Sequence, residues 1–318
     1  MTTDTLDWPL IGRGTYFEDH LIGRTFDHHW GRTIHASDNV LFSTQNLSFN
    51  PVHFNRDRAE QLGHRDEVVN PMLVFTIVFG LSVEDLSEAG GPFLGARDIR
   101  FLRDVYPGET VYARSEVVRA EVSKSRPDFG IVSWHTRGVD PDGEPVIEFE
   151  RTNLVRKRPA GPDFVSAPNG FLSGFHVGDR YRHARSRTIT DVDLNELTLL
   201  VMNTAQGHFS DQAMAESEFG ERINFGGLTL SLTVGLATQD VAAECIREIG
   251  LDDVKFKTPV NRGDTIRAAT EVLAVDESTV TLQHYGFNQH NQPVCEVKRT
   301  IEVRSGPELT DSVSQESE

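Results

Sequence analysis

Asn70-Pro71-Met72-Leu73-Val74-Phe75-Thr76-Ile77-Val78-Phe79-Gly80-Leu81 places a proline in the first turn of a helix and continues as an almost unbroken apolar run. The same plan returns 155 residues later, where Gly226-Gly227-Leu228 leads on to Gly235-Leu236. Apolar residues on nearly every side mark a helix enclosed by the fold, not one lying on its surface. The pattern predicts helices from Asn70-Pro71 to about Glu88 and from Gly226 to about Gly250.

The repeat extends outward on both sides at the same offset. Ile22-Gly23 and Arg32-Thr33-Ile34 match Val177-Gly178 and Arg187-Thr188-Ile189, His28 matches His183, and His53-Phe54 matches His208-Phe209. Beyond the helix, Ile99-Arg100-Phe101 matches Val254-Lys255-Phe256 and Gly108-Glu109-Thr110 matches Gly263-Asp264-Thr265. After about residue 123 the offset drops to 148, so that Pro145-Val146 matches Pro293-Val294 and Arg151-Thr152 matches Arg299-Thr300. A register shared over a hundred residues is the mark of a duplication. Each helix is followed by strand-like runs, near 97–105, 109–122, 131–139 and 144–156 in the first copy, and near 252–260, 264–275, 279–288 and 292–304 in the second. One apolar helix followed by an antiparallel meander implies a sheet wrapped around that helix. The expected fold is therefore α+β, a double hotdog with two antiparallel sheets, each around a central helix. Its expected parts are a first module over 1–157, a linker over 158–169, a second module over 170–304 and a disordered acidic tail over 305–318.

Composition bounds the function. Asp and Glu number 48 against 31 Lys and Arg, a formal net charge of −17, which repels phosphate backbones and anionic lipids. Nucleic acid and membrane partners are therefore not expected. Lys124, Lys157, Lys255, Lys257 and Lys298 are the only lysines, and an acidic, arginine-rich surface suits a halophilic source. No apolar run is long enough to span a bilayer, and the acidic start MTTDTLDWPL lacks a secretory pattern, so the expected compartment is the cytoplasm. Cys245 and Cys295 alone exclude a disulfide framework or a cysteine zinc site. His28-His29 is the one pair suggestive of a metal, but strand neighbours point apart, so no metal is expected.

Asn50-Pro51-Val52-His53, lying 18 residues ahead of the central helix, resembles the Asp-x-Asn-Pro-x-His signature of the MaoC-like (R)-specific enoyl-CoA hydratases. Within that superfamily, His29-Trp30-Gly31-Arg32-Thr33 and Arg222-Ile223-Asn224-Phe225-Gly226-Gly227-Leu228 resemble the tandem mesaconyl-CoA hydratases, also called 2-methylfumaryl-CoA hydratases or β-methylmalyl-CoA dehydratases. The resemblance covers nearly the whole chain. It implies reversible syn addition of water to a 2-enoyl-CoA with no cofactor. It also implies an acidic side chain and a histidine holding the water, and a backbone N–H at the helix start polarising the thioester carbonyl.

Carried over residue by residue, the motif is uneven. The acidic position is Ser48 in the first copy and Asn203 in the second; Asn50-Pro51 becomes Ala205-Gln206; the histidines are His53 and His208. The helix-start glycine falls on Pro71 and on Gly226. Proline has no N–H to offer, whereas glycine offers one and allows close approach. The catalytic set expected is therefore His208, Asn203 and Gly226, with His53, Ser48 and Asn50 as the alternative should a donor such as the Met72 N–H serve the first copy. Gly227 beside the helix start, Arg222 for a substrate carboxylate and Arg100 for a CoA phosphate are the expected substrate contacts. The glycine pair could instead serve close packing. The expected activity is hydration of a short branched dicarboxylic enoyl-CoA such as mesaconyl-CoA. Itaconyl-, crotonyl- or longer enoyl-CoA hydration, a hotdog thioesterase and a non-catalytic acyl-CoA-binding protein are the alternatives. The partner is the acyl-CoA thioester; a fused pseudo-dimer makes further homo-oligomerisation optional.

Overall fold

A computed structural model of the chain describes residues 5–159, 165–166, 174–215 and 217–303. The expected acidic tail over 305–318 lies outside the described residues, as does most of the expected linker. The strands, in chain order, are β1 (Leu10–Gly12), β2 (Thr25–Thr33), β3 (Phe93–Phe101), β4 (Thr110–Val122), β5 (Phe129–Val139), β6 (Pro145–Arg156), β7 (Val165–Ser166), β8 (Arg180–Thr188), β9 (Cys245–Phe256), β10 (Thr265–Val275), β11 (Thr279–Phe287) and β12 (Pro293–Val303). They divide into two units, one formed by Arg13–Pro162 and the other by Met1–Gly12 with Asp163–Glu318. This is the double hotdog: each unit has one sheet and one central helix.

In the first module the sheet order is β2-β4-β5-β6-β3, antiparallel throughout. The central helix spans Pro71–Leu81 and buries Leu73, Val74, Ile77 and Val78, a helical stripe that meets Val111, Ala113, Val146, Ile147 and Phe149. The helix stops earlier than the sequence pattern predicts. Ser82 is its C-cap, with Oγ donating to the Phe79 carbonyl at 2.7 Å, and a separate short helix follows over Val83–Ser87.

In the second module the order is β7-β1-β8-β10-β11-β12-β9. The body from β8 to β9 is antiparallel, and β1 runs parallel to both β8 and β7. Residues Leu10–Gly12 thus extend the second sheet, although the sequence reading begins the first module at residue 1. Trp8, just before β1, packs edge-on to Tyr285 with ring centroids 5.7 Å apart. The central helix spans Gly226–Val241 and does not reach Gly250. Cys245–Gly250 belongs instead to β9, where Cys245 pairs with Val303 and Arg247 with Glu302. The strand gives the end of β12 hydrogen-bond partners that a longer helix would have withheld.

Packing explains two repeated glycines. Gly138 and Gly286 occupy matched places in β5 and β11, beneath the two central helices. A Cβ at Gly138 would lie 2.6 Å from Val78 Cγ2, and one at Gly286 would strike Thr233. The matched Arg151 and Arg299 are both buried. Arg299 pairs with Glu248, while Arg151 lies 4.3 Å over the Phe79 ring and donates to the Ser82 carbonyl. Burial pulls Arg151 down to about 9. Among the described residues, no helix is long and apolar enough to cross a membrane.

Candidate active site

The two motif histidines are held alike. Each sits in a 3-10 turn, Pro51–His53 and Gln206–His208. His53 Nδ1 lies 2.9 Å from the Val68 carbonyl oxygen, and His208 Nδ1 lies 2.9 Å from that of Ile223, fifteen residues downstream in both cases. A carbonyl only accepts, so Nδ1 carries the hydrogen and donates. That leaves Nε2 as a lone pair able to take a proton. Asn50 caps the first turn, its Oδ1 accepting from the Val52 N–H at 3.3 Å, so its role there is local.

The helix heads differ. In the first module Asn70 is the N-cap and its Oδ1 accepts the Met72 N–H at 3.0 Å; Pro71 has no N–H, and Leu73 donates to the Asn70 carbonyl at 2.8 Å. The rest of the Asn70 side chain is also engaged, with Nδ2 donating to Ser43 and Ser48 at 3.1 Å each. Asn39, fully buried, joins the set by accepting the Asn70 N–H at 2.8 Å and donating to the His53 and Val68 carbonyls. Ser48, the candidate for the acidic position, is thus tied to this lattice through its Oγ.

In the second module Phe225 is the N-cap and no side chain caps the helix. Leu228 and Thr229 donate to the Phe225 carbonyl, and the N–H groups of Gly226 and Gly227 meet no acceptor among the described residues. These are the donors a developing oxyanion needs, at the positive end of a helix dipole. Both glycines also sit under closely packed aromatic rings. A Cβ on Gly226 would lie 3.2 Å from the Phe256 ring, and one on Gly227 2.6 Å from the Phe225 ring. His208 lies against the same Phe225, ring centroids 5.6 Å apart. Asn203 accepts the Ala205 N–H at 3.0 Å through Oδ1, which leaves its Nδ2 to hold a water oxygen.

The expected substrate contacts fare differently. Arg222 donates through Nε to Asp211 at 2.6 Å, through Nη1 to Asn195 at 2.9 Å and through Nη2 to Asp191 at 2.8 Å. Three of its five N–H groups are thus engaged, and a substrate carboxylate would meet only the two that remain. Arg100, on β3 of the first module, is exposed and without an ion-pair partner among the described residues.

A second histidine set escaped the sequence reading. His28 bridges Asp85 (2.6 Å from Nδ1) and Ser115 (2.9 Å from Nε2), and Ser115 Oγ meets Thr136 at 2.8 Å. The counterpart links Asp240, His183, Thr270 and His284 at 2.5, 2.7 and 2.8 Å. Burial, with His183 and Arg299 nearby, holds His284 well below the usual histidine range. The arrangement looks like a nucleophilic triad, but both hydroxyls are buried and engaged on both sides. Its work is to fasten helical segments to the sheet. The 155-residue spacing of Asp85 and Asp240 was the available signal.

The sequence profile of the mesaconyl-CoA hydratase family matches residues 8–169 and 173–305. The chain belongs to the mesaconyl-CoA hydratase family. A family relative, the mesaconyl-CoA hydratase of Haloarcula hispanica, is 31% identical over 328 aligned positions, covering 92% of this chain and 91% of its own. The β-methylmalyl-CoA dehydratase of Chloroflexus aurantiacus is 31% identical, covering 82% of each chain. Among solved structures, a MaoC domain protein dehydratase from Chloroflexus aurantiacus is 28% identical, covering 92% of this chain and 98% of that one, with a TM-score of 0.45.

Proposed function

We propose that the protein is a cytoplasmic hydro-lyase that reversibly adds water to mesaconyl-CoA to give β-methylmalyl-CoA, and that the second module does the chemistry. The carrying observation is the uncapped helix head at Gly226-Gly227, set against the occupied one at Pro71-Met72. The Gly226 N–H donates to the thioester carbonyl oxygen as that oxygen takes on enolate character. Asn203 Nδ2 holds the water, and His208 Nε2 removes a proton as the water oxygen bonds to C3. The proton held on His208 then goes to C2 as the enolate collapses, so both additions occur on the face that the histidine commands. No electrons enter or leave, so the step needs no redox partner.

The first module retains the more complete motif, yet its helix donors are engaged. Its role in this reading is structural. The test compares His208→Ala with His53→Ala on mesaconyl-CoA, following loss of enoyl absorbance and release of free thiol. We expect His208→Ala to lower kcat/KM by ~10²–10⁴, with His53→Ala within a few-fold of wild type and no thiol released. Loss confined to His53→Ala reverses the assignment; thiol release makes the protein a thioesterase.

A further inference from the structure

The repeat exposes a difference beside the central helix that deepens the functional reading, on which it rests. In the second module a cavity of about 250 Å³ runs along the helix face of Leu228, Ser231 and Leu232, and is also lined by Leu197 and Asn224. The positions 155 residues earlier are Leu73, Thr76, Ile77, Phe42 and Val69. There Phe42 packs onto the buried cluster that contains Val69, Leu73 and Ile77. It comes from a regular α-helix over Ala36–Gln45, whereas Leu197 ends a π-helical turn over Asp193–Leu197. Such turns appear mostly as single bulges, often at functional sites. On this helix face two exchanges, Phe to Leu and Val to Asn, thus separate filled space from room; a cavity of about 310 Å³ in the first module runs instead along Pro71, Val74 and Phe101. At ~30 Å³ per water the space equals about eight waters, and the acyl group of mesaconyl-CoA has five carbons and three oxygens.

Asn224 adds a polar demand. It is buried, its Nδ2 donates to Thr229 Oγ1 at 3.0 Å, and its Oδ1 meets no partner among the described residues. Turning the amide over only exchanges which end is orphaned. An unmet buried polar group destabilises the fold, and here it stands at a position where the sister module keeps a buried valine. Arg187 lines the same cavity; it gives one N–H to Asp193, the only acid in the lining, and keeps the others. We infer that the cavity receives the acyl group of the thioester, with Leu197 limiting its size; the Asn224 amide, turned so that Oδ1 accepts the Thr229 hydroxyl and Nδ2 faces the cavity, and the Arg187 guanidinium both donate to its free carboxylate. Asn224 lies two residues before Gly226, so the acyl chain and the thioester oxygen are served by one end of one helix.

The experiment compares wild type, Leu197→Phe, Leu197→Ala and Asn224→Val. Calorimetry measures binding of succinyl-CoA, a saturated dicarboxylic thioester that cannot be hydrated, and of free CoA. Steady-state assays measure hydration of mesaconyl- and crotonyl-CoA. Leu197→Phe should weaken succinyl-CoA binding at least ~10-fold with free CoA unaffected, the scale on which pocket size discriminates. Leu197→Ala, which adds space and does not crowd the fold, should tighten binding of hexanoyl-CoA. Asn224→Val should lower the mesaconyl-to-crotonyl ratio of kcat/KM about tenfold. Wild-type binding of succinyl-CoA by both Leu197 variants with no gain for hexanoyl-CoA overturns the size assignment, and an unchanged ratio in Asn224→Val overturns the carboxylate assignment. Leu197-dependent binding without hydration keeps the cavity and defeats the catalytic reading. Hydration untouched by every substitution does the reverse, and neither binding nor hydration by wild type defeats both.

Discussion

The two helix heads began as copies and now do opposite things with their hydrogen bonds. In the first module Asn39, Ser43, Ser48 and Asn70 satisfy one another and the backbone around them. In the second, the matched positions hold Leu194, Thr198, Asn203 and Phe225, and the lattice is gone. Removing it leaves the first amides of a buried helix without internal partners, the condition under which a helix end binds a ligand. The comparison teaches that the better-preserved sequence motif and the helix head with uncapped donors need not share a module. Complete internal satisfaction favours a framework; an unsatisfied donor favours a substrate.

The comparison breaks most sharply at the donors themselves. Gly226→Pro copies the first module, keeps a residue suited to the first helical turn and deletes the N–H. It should lower kcat by ~10²–10³, as removal of one oxyanion donor does. Gly226→Ala retains the N–H and has only the Phe256 ring to displace, so it should keep most of the activity. Equal loss in both variants would transfer the role of Gly226 from donation to packing.

Acid distinguishes the modules next. His20 is buried in the first module, accepting the Trp134 indole N–H through Nδ1 at 3.3 Å and meeting Thr15 through Nε2 at 2.9 Å; the matched position in the second is Phe175. Burial is the main cause that lowers His20 to about 4; Arg24 and Arg151 add to it and Asp19 opposes it. In the unfolded chain the group titrates at its ordinary value, so between about pH 6.5 and 4 the unfolded state binds the extra proton. Stability is therefore lost as pH falls through that window, by about 3 kcal/mol from this group. Urea unfolding at pH 7 and pH 4.5 should show a smaller pH dependence in His20→Phe. An unchanged slope would remove His20 from the account.

The smallest effect sharpens the division between framework and chemistry. Asn70→Ala removes a helix cap and orphans its partners, and should cost ~1–2 kcal/mol in denaturant unfolding. Because this lattice belongs to the first module, kcat should stay within a few-fold of wild type.

The duplication made the fold legible, because residues matched at a fixed offset cannot be explained by local propensity. The helix ends were less so. Ala242-Ala243-Glu244-Cys245-Ile246-Arg247-Glu248 reads well as helix, yet pairing with β12 claims it from Cys245 onward, a tertiary decision that overrides propensity. At the site, proline against glycine was readable because it concerns the presence of one hydrogen. The engagement of Met72 by Asn70 was also local, two residues apart, but needed the cap geometry. Arg222 was opaque for the opposite reason: Asp191, Asn195 and Asp211 reach it only after the chain folds back.

The short strand Leu10–Gly12 has a consequence for anyone who would cut the gene in two. Arg182 gives its Nε–H to the Trp8 carbonyl at 2.7 Å, and Trp8 covers Tyr285. A fragment beginning at the linker would lack that strand and the indole, leaving the flank of β8 bare. Halves made as separate polypeptides would each need the right pieces, and a circularly permuted gene that places residues 8–12 beside β8 would be the more faithful way to isolate the second module.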